Sequence, residues 1–541
     1  MAKQTKKNLL LQGSILAMAG IITRLIGLFY RIPMANMLGE EGNGIYSVAF
    51  GIYNITLTLS SYSLPLAVSK LVSQRCANRE FRNAFHVFRN ALLFALISGT
   101  IACSLIYFGA DFLEGLYARQ GLAEPLKIVA PTTFIMALLG VFRGLYQGKN
   151  TMIPTAFSQI LEQIVNAVVS VLAVYLFMKA YSNSPNVAAY GAAGGICGTF
   201  AGAFTALVFL LFVFIIYKPT MNKQIERDKT HLDESNREIY HTLFLTVLPI
   251  IFSQTVYQFG YTLDDFLFGN IMIQKGFEST TISSLQGAFN SQYNLLINVP
   301  VAVASAMASS TIPSIAASAK NKSKDIHDKI KSVIKFNMCI AFPSAIGLSV
   351  LARPITSLLF PSLAKYQDTV VSLLLFGTSA IIFYSLSTIT TSILQGTDHM
   401  RLPIYHAAIS LAIHTALVII LLQFTNLGIF TLLIGNISFP FLISVLNWRA
   451  VSKYLQYKQE IIKTFLVPLL SSLLMGAVVF ILYHATFMLL SSNLVSSLLS
   501  IFVGIIVYFF LLILLQCFQK EELQEMPMGG RIYKLMKPFM K

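Results

Sequence analysis

The sequence predicts an all-α polytopic membrane protein: fourteen transmembrane helices, arranged as two six-helix lobes in parallel repeat plus two extra C-terminal helices. Three observations carry this. First, 55% of the 541 residues are hydrophobic and only 11% are charged, whereas soluble domains carry about 25% charge. Second, apolar runs long enough to cross a roughly 30 Å hydrocarbon core as helices recur along the whole chain. Third, two sequence landmarks repeat at one offset. The charge content excludes soluble enzymes, disordered scaffolds and secreted disulfide domains. The runs are continuous rather than alternating, which excludes a β-barrel.

The runs centre on residues 10–37, 44–68, 88–109, 125–146, 155–179, 189–217, 240–271, 283–313, 333–352, 368–395, 403–424, 428–448, 462–486 and 495–517. Lys3, Lys6 and Lys7 lead into the first run and no small-residue cleavage site follows, so it reads as a spanning helix rather than a cleaved signal. With the N-terminus placed in the cytoplasm, the cytoplasmic stretches hold 31 of the 39 Lys and Arg residues. The outer side holds six, namely Arg119, Lys127, Lys179, Lys275, Arg353 and Lys365, and span 1 contains Arg24 and Arg31. Such a positive-inside bias orients a plasma-membrane protein with both termini cytoplasmic. It also accounts for most of the net charge of +16, so no nucleic-acid partner is needed.

The expected organisation is an N-lobe over 1–217 (spans 1–6), a charged cytoplasmic linker over 218–239 and a C-lobe over 240–450 (spans 7–12). Spans 13 and 14 occupy 451–517, and a basic tail over 518–541 lies against anionic lipid. The five cysteines, at 76, 103, 197, 339 and 517, have no close spacing and read as packing residues rather than disulfides or a metal site. Gly194, Gly198 and Gly202 form a stripe of small residues suited to close helix packing. His406 and His414 in span 11 read as packed, neutral histidines.

Gln147-Gly148, with Met152 and then Pro154, precedes span 5; Gln395-Gly396, with Met400 and then Pro403, precedes span 11. The Gln residues are 248 positions apart, as are Leu64-Pro65 and Ile312-Pro313. Six spans separate equivalent helices. Six is even, so the halves share one orientation, related by an axis along the membrane normal. Two such bundles form a rocker whose cavity can open to either side, which points to transport.

A charge at membrane depth costs at least about 2.5–3.5 kcal/mol and needs a partner or a wet cavity. The candidates are Arg24 and Arg31 in span 1, Glu162 in span 5, and Asp264 and Asp265 in span 7. Arg24 and Arg31 are seven apart and share a helix face. Two guanidinium groups on a cavity-lining helix suit an anionic ligand, because guanidinium holds phosphate bidentately. Arg143 at the inner mouth of span 4 either adds to a phosphate-accepting entrance or is simple positive-inside placement. Arg31 either pairs across the lobes with Asp264 or Asp265 as an outer gate, or forms a static pair or snorkels outward. Glu162 is an ion carrier, a partner of Arg24 or a structural hydrogen-bond acceptor. No phosphate-binding loop, H-E-x-x-H or G-x-S-x-G motif occurs, so no enzyme activity, metal or cofactor is expected. Movement would draw on a gradient, with H+ or Na+ as coupling ion.

The run Gly20-Ile21-Ile22-Thr23-Arg24-Leu25-Ile26-Gly27-Leu28-Phe29-Tyr30-Arg31-Ile32-Pro33, then Leu38-Gly39 and Gly42-Asn43-Gly44-Ile45-Tyr46, resembles the start of the stage V sporulation protein B-like polysaccharide transporters. Leu64 through Val72, Arg143-Gly144-x-x-Gln147-Gly148, and Tyr293-Asn294 through Ile312-Pro313 fit the same pattern. These belong to the multidrug/oligosaccharidyl-lipid/polysaccharide exporter superfamily, alongside MurJ-type lipid II flippases. The resemblance implies a flippase carrying undecaprenyl-pyrophosphate-linked peptidoglycan precursor from inner to outer leaflet. It implies Arg24 in a central cavity and spans 13–14 as a groove for the lipid tail. It also implies a monomer working with lipid-linked oligosaccharide and membrane lipid, with cell-wall synthesis proteins as contacts. The chain departs from the pattern at Ser63-Leu64-Pro65, where relatives carry Gly before the proline step. Span 11 offers no carboxylate for a sodium site. The alternative on the same fold is an ion-coupled multidrug/cation antiporter, for which Asp264, Asp265 and Glu162 would supply an acidic cavity.

Overall fold

The computed structural model describes residues 2–61, 63–228, 230, 234–320 and 326–518; the basic tail over 519–541 lies outside them. Among the described residues the fold is helical throughout, with no strand. Contacts divide the chain into two compact units, Met1–Ser291 and Gln292–Lys541.

The first unit contains α1 (Ala2–Ser60), α2 (Leu64–Ala77), α3 (Phe81–Leu116), α4 (Ala123–Gly148), α5 (Ile153–Ala180), α6 (Val187–Glu226), α7 (Asn236–Gln274) and α8 (Ser279–Gly287). A straight α1 would be roughly 89 Å long at about 1.5 Å per residue, far more than one membrane crossing. It is instead broken at Gly39, whose φ of 69° and ψ of 177° leave the helical region. The Asn43 amide donates to the Ala35 and Gly39 carbonyls at 2.8 and 2.6 Å, satisfying acceptors at the break. The Gly42-Asn43-Gly44 sequence has a packing reason as well. A Cβ on Gly44 would lie 1.9 Å from the Ser283 carbonyl oxygen, and one on Gly287 would lie 2.0 Å from that of Glu40. α1 and α8 therefore touch backbone to backbone. The glycine stripe of α6 packs against α5 in the same way: a Cβ on Gly198 would meet the Ser170 hydroxyl at 2.0 Å.

Two apolar cores fill this unit. One joins α2, α3, α4, α6 and the start of α7, including Leu64, Val68, Phe88, Phe142 and Leu210. The other lies nearer the opposite end and joins α1, α4 and α6 through Met34, Tyr46, Leu126 and Ile196. The loops 78–80 and 149–152 alternate along the chain with the loops 117–122 and 181–186.

The segment expected as a free linker over 218–239 is mostly helix, since α6 runs to Glu226 and α7 begins at Asn236. Among its described residues, Asp228, Glu234 and Asn236 reach α2 and α3. Arg75 pairs with Glu234 through a short contact. Asp228 accepts from the Arg82 backbone at 2.8 Å, and the Asn90 amide donates to Asn236 at 2.9 Å. The boundary between the compact units falls at 291/292.

The second unit contains α9 (Asn294–Lys320), α10 (Ile326–Val350), α11 (Ala352–Leu359), α12 (Gln367–Gly377), α13 (Ser379–Gly396), α14 (Arg401–Phe424), α15 (Phe430–Leu455), α16 (Val467–Leu490) and α17 (Asn493–Leu514). α10, α16 and α17 share a core around Met475, Val479, Tyr508 and Leu512. His414 is buried with Nδ1 at 3.1 Å from the Gly435 carbonyl, and His406 Nδ1 lies 2.7 Å from Asn447 Oδ1. Both histidines are packed and hydrogen-bonded.

The repeated landmark is one turn built twice. Asn150 and Asp398, again 248 apart, are left-handed at φ 56° and 66°. Their amides donate to the Gln147 and Gln395 carbonyls, and those of Thr151 and His399 to Tyr146 and Leu394. This pattern of capping ends a helix on a left-handed residue, which Asn and Asp tolerate better than most.

Ten helical stretches among the described residues are long and apolar enough to cross a membrane, or eleven if the α12–α13 pair, bent by 50°, is one span. This is fewer than the fourteen expected. The first two expected spans fall in one stretch, Met18–Ala77, and α7 and α9 are not among the ten.

Candidate functional site

The chemistry-bearing side chains of the first unit fall into three groups. The first is on α1. Arg24 is exposed, in line with the exposed Ile21, Leu25 and Phe29. It lies 15 residues before the Gly39 break, roughly 22 Å along the helix. Arg31 is half-buried with its guanidinium 5.4 Å from the Phe50 ring centroid. Its Nε is buried without a hydrogen-bond partner. The two arginines share a helix but not an environment: Arg24 faces outward and Arg31 rests on an aromatic ring.

The second group joins α4 to α5. Arg143 Nη2 lies 2.6 Å from the Glu162 carboxylate, and its Nε donates to the Ser158 hydroxyl at 3.1 Å. Both side chains are mostly buried, at 10% and 17% exposure. Arg143 and Glu162 satisfy each other, so Arg143 does not present a free cation to an anionic ligand in this conformation. Glu162, for which an ion-carrying role and pairing with Arg24 stood beside a structural one, accepts from Arg143.

The third group lies at the opposite face and was not foreseen. Arg119, in the turn between α3 and α4, is 1% exposed. Its Nη1 donates to the Ser283 hydroxyl at 3.0 Å and its Nη2 to Gln286 Oε1 through a short contact, both on α8. Gln286 Nε2 donates to the Asp265 carbonyl at 3.0 Å. The Asp265 carboxylate, buried in α7, accepts from Asn290 at 3.1 Å, and Asn290 also reaches Ser47 of α1 at 3.3 Å. Burial pushes the Arg119 guanidinium down to about 10, opposed by the Asp265 carboxylate, so it remains a cation at neutral pH. The turn is held by further bonds. Asn270 donates to the Leu116 carbonyl at 2.9 Å and Ser279 to that of Ala118 at 3.3 Å. Tyr117 stacks edge-on against Phe266 at 5.5 Å. One cation thereby fastens the α3–α4 turn to α7 and α8, and through Asn290 to α1.

Pairing of Arg31 with Asp264 or Asp265 was one of its alternatives, and the structure gives Arg31 the Phe50 ring as its neighbour. The cation facing Asp265 is Arg119, because the turn folds inward over α7, while Arg31 lies against Phe50. Asp264 beside it is half-buried. The sequence did hold a signal for Arg119. It is one of only six cations on the sparse side of the charge bias, and an arginine in a six-residue turn between apolar helices has few ways to stay hydrated. Among the described residues no group of three or more His, Cys, Asp or Glu side chains is arranged to hold a metal.

These arrangements fasten helix to helix through charges and amides. The Bacillus subtilis (strain 168) protein named lipid II flippase MurJ is 25% identical over 422 residues, covering 75% of this chain and 76% of that protein. Stage V sporulation protein B of the same organism is 23% identical over 539 residues, covering 98% and 99%. Among solved structures, an inward-facing multidrug resistance MATE family transporter of the MOP superfamily superposes with TM-score 0.64 at 17% identity, over 80% of this chain and 96% of that one. The inward closed conformation of lipid II flippase MurJ superposes at 0.62 and 15% identity, over 92% and 97%. The fold is that of multi-pass membrane transporters, carriers rather than enzymes. Residues 9–319, more than half of the chain, match the family described as Polysaccharide biosynthesis protein, and the chain belongs to that family.

Proposed function

We propose that the protein is a flippase that carries a lipid-linked oligosaccharide, with undecaprenyl-pyrophosphate-linked peptidoglycan precursor (lipid II) as its substrate, from the inner to the outer leaflet. The observation that carries this reading is Arg24: a guanidinium held outward on an otherwise apolar stretch of α1, in a chain related to a named lipid II flippase. A diphosphate headgroup offers the oxygen pairs that guanidinium binds bidentately. The crossing proceeds by alternating access of two six-helix lobes, with fourteen spans in all. Both termini lie on the basic, cytoplasmic side of the plasma membrane, and an H+ or Na+ gradient drives the cycle in a monomer. Arg31 is the second phosphate contact, reached when its ring contact with Phe50 opens. Arg119 and Asp265 close the opposite face.

The experiment is Arg24→Ala in cells depleted of their own lipid II flippase, paired with translocation of labelled lipid II in proteoliposomes. Loss of growth rescue and of translocation supports the assignment. Rescue equal to the parent overturns it.

A second reading, ion-coupled efflux of organic cations, is favoured by the superposition on the MATE transporter and by the buried Asp265. Proton-coupled dye efflux without lipid movement in the same vesicles would select it.

A further inference from the structure

We propose that Cys339 and Cys517 are a redox pair that closes into a reversible disulfide, stapling α10 to the end of α17. The two are 178 residues apart, yet their sulfurs lie 3.9 Å from each other. Both are buried, at 7% and 0% exposure, within the core shared by α10, α16 and α17. A disulfide needs about 2.05 Å between sulfurs, so closure calls for a movement of under roughly 2 Å, within reach of side-chain rotation. The surrounding bonds hold the approach. Tyr508 donates to the Cys339 carbonyl at 2.9 Å. Cys517 Sγ contacts the Lys463 carbonyl at 3.3 Å, and the fully buried Lys335 ammonium donates to the Cys517 carbonyl at 3.3 Å. Sequence spacing gave no hint of the pairing, because tertiary packing alone brings the two together.

The oxidant is a peroxide. One thiolate attacks a peroxide oxygen, the O–O bond breaks, and hydroxide leaves to be protonated to water. The resulting sulfenic acid is attacked by the second thiolate; the S–S bond forms, the S–O bond breaks, and a second water is released. Two thiols and one hydrogen peroxide thus give one disulfide and two waters, and a dithiol reductant reverses the step by exchange. In a reducing cytoplasm the open form is the resting one.

The test uses the full chain in detergent. It is treated with hydrogen peroxide, denatured, and its thiols counted with a polyethylene-glycol maleimide. The parent should fall from five labelled thiols to three, with a 339–517 cross-linked peptide on mapping and return to five after dithiothreitol. Cys76, Cys103 and Cys197 serve as internal controls. Cys339→Ser should keep four labels with or without peroxide. The oxidised parent should also unfold several degrees higher than the reduced one, a shift absent in Cys339→Ser. Five labels after peroxide, a cross-link through another cysteine, or a link without the thermal shift would each overturn the proposal. If Cys339→Ser does not fold, the parent's label count and peptide map decide it.

Discussion

Arg119→Ala removes one cation from the centre of a buried polar cluster, and the cost can be worked from its contacts. The guanidinium bonds to Ser283 and Gln286 would be lost, each worth about 1.5–3 kcal/mol for a charged donor. The Asp265 carboxylate would remain buried without its facing cation. The two lost bonds together set the cost at about 3–6 kcal/mol. Unfolding entropy of about 2.1 cal/mol/K per residue over 541 residues converts this to a fall of roughly 3–5 °C in melting temperature. The fall would be about twice that if the first unit melts alone. The assay is thermal unfolding of purified protein in detergent, run as a cycle with Asp265→Asn. Removing both charges should cost less than the two single losses together, with coupling of about 1–3 kcal/mol. A midpoint for Arg119→Ala within about 1 °C of the parent, with additive effects in the cycle, would refute the view that this cation holds the turn to α7 and α8.

Two further outcomes follow from the same geometry. Gly44→Val should prevent α1 and α8 from meeting, since its Cβ would sit 1.9 Å from a backbone oxygen; monodisperse protein on size exclusion should largely vanish. Gly109→Ala, with nothing within 4 Å of its Cβ, should elute like the parent. The Asp228 carboxyl is held down at about 2 by the Arg82 amide and the Thr230 hydroxyl. A depressed carboxyl contributes stability that is present above its ordinary value of 3.8 and lost as pH falls towards 2. Protection of the Arg82 and Thr230 amides relative to their intrinsic exchange should therefore fall over that window, and Asp228→Asn should abolish the dependence; an unchanged acid profile in the variant would remove Asp228 from this contact.

Legibility followed the range of the interactions involved. Helical class, membrane residence and the glycine packing of α6 depend on residues close in sequence, and each was readable. The recurring Gln-Gly turn was also readable, and the left-handed Asn150 and Asp398 explain why polar residues suited to that conformation occupy equivalent places in its two copies. What could not be read was the choice of partners. Arg143 could have served an entrance or simple positive-inside placement, and only the packing of α4 on α5 brings Ser158 and Glu162 to it. The 218–239 stretch has the charge of a solvated linker, and a strap needs the same charge; the difference lies in Asn83 and Asn90, which meet it from α3. α7 begins at the Ser235-x-x-Glu238 capping box, four residues before the expected end of the linker.

The arginines can now be sorted by what surrounds them. Arg75, Arg119 and Arg143 are buried, and each reaches an acidic or amide side chain that fixes its position. Moving any of them would strand that partner, so their role is to hold helices together in the conformation described. Arg24 differs in kind. Its stretch of α1 is exposed and apolar on either side, from Ile21 to Phe29. A guanidinium on a face this apolar costs at least about 2.5–3.5 kcal/mol where lipid tails alone surround it, and its exposure leaves it open to water or a polar headgroup during the cycle. For that reason Arg24→Lys is the sharper companion to Arg24→Ala. Lysine keeps the charge but not the planar pair of donors. If diphosphate is what Arg24 meets, Lys should rescue growth only in part while leaving thermal stability at the parent's value. Full rescue by Lys would reduce Arg24 to a point charge, and the diphosphate argument with it.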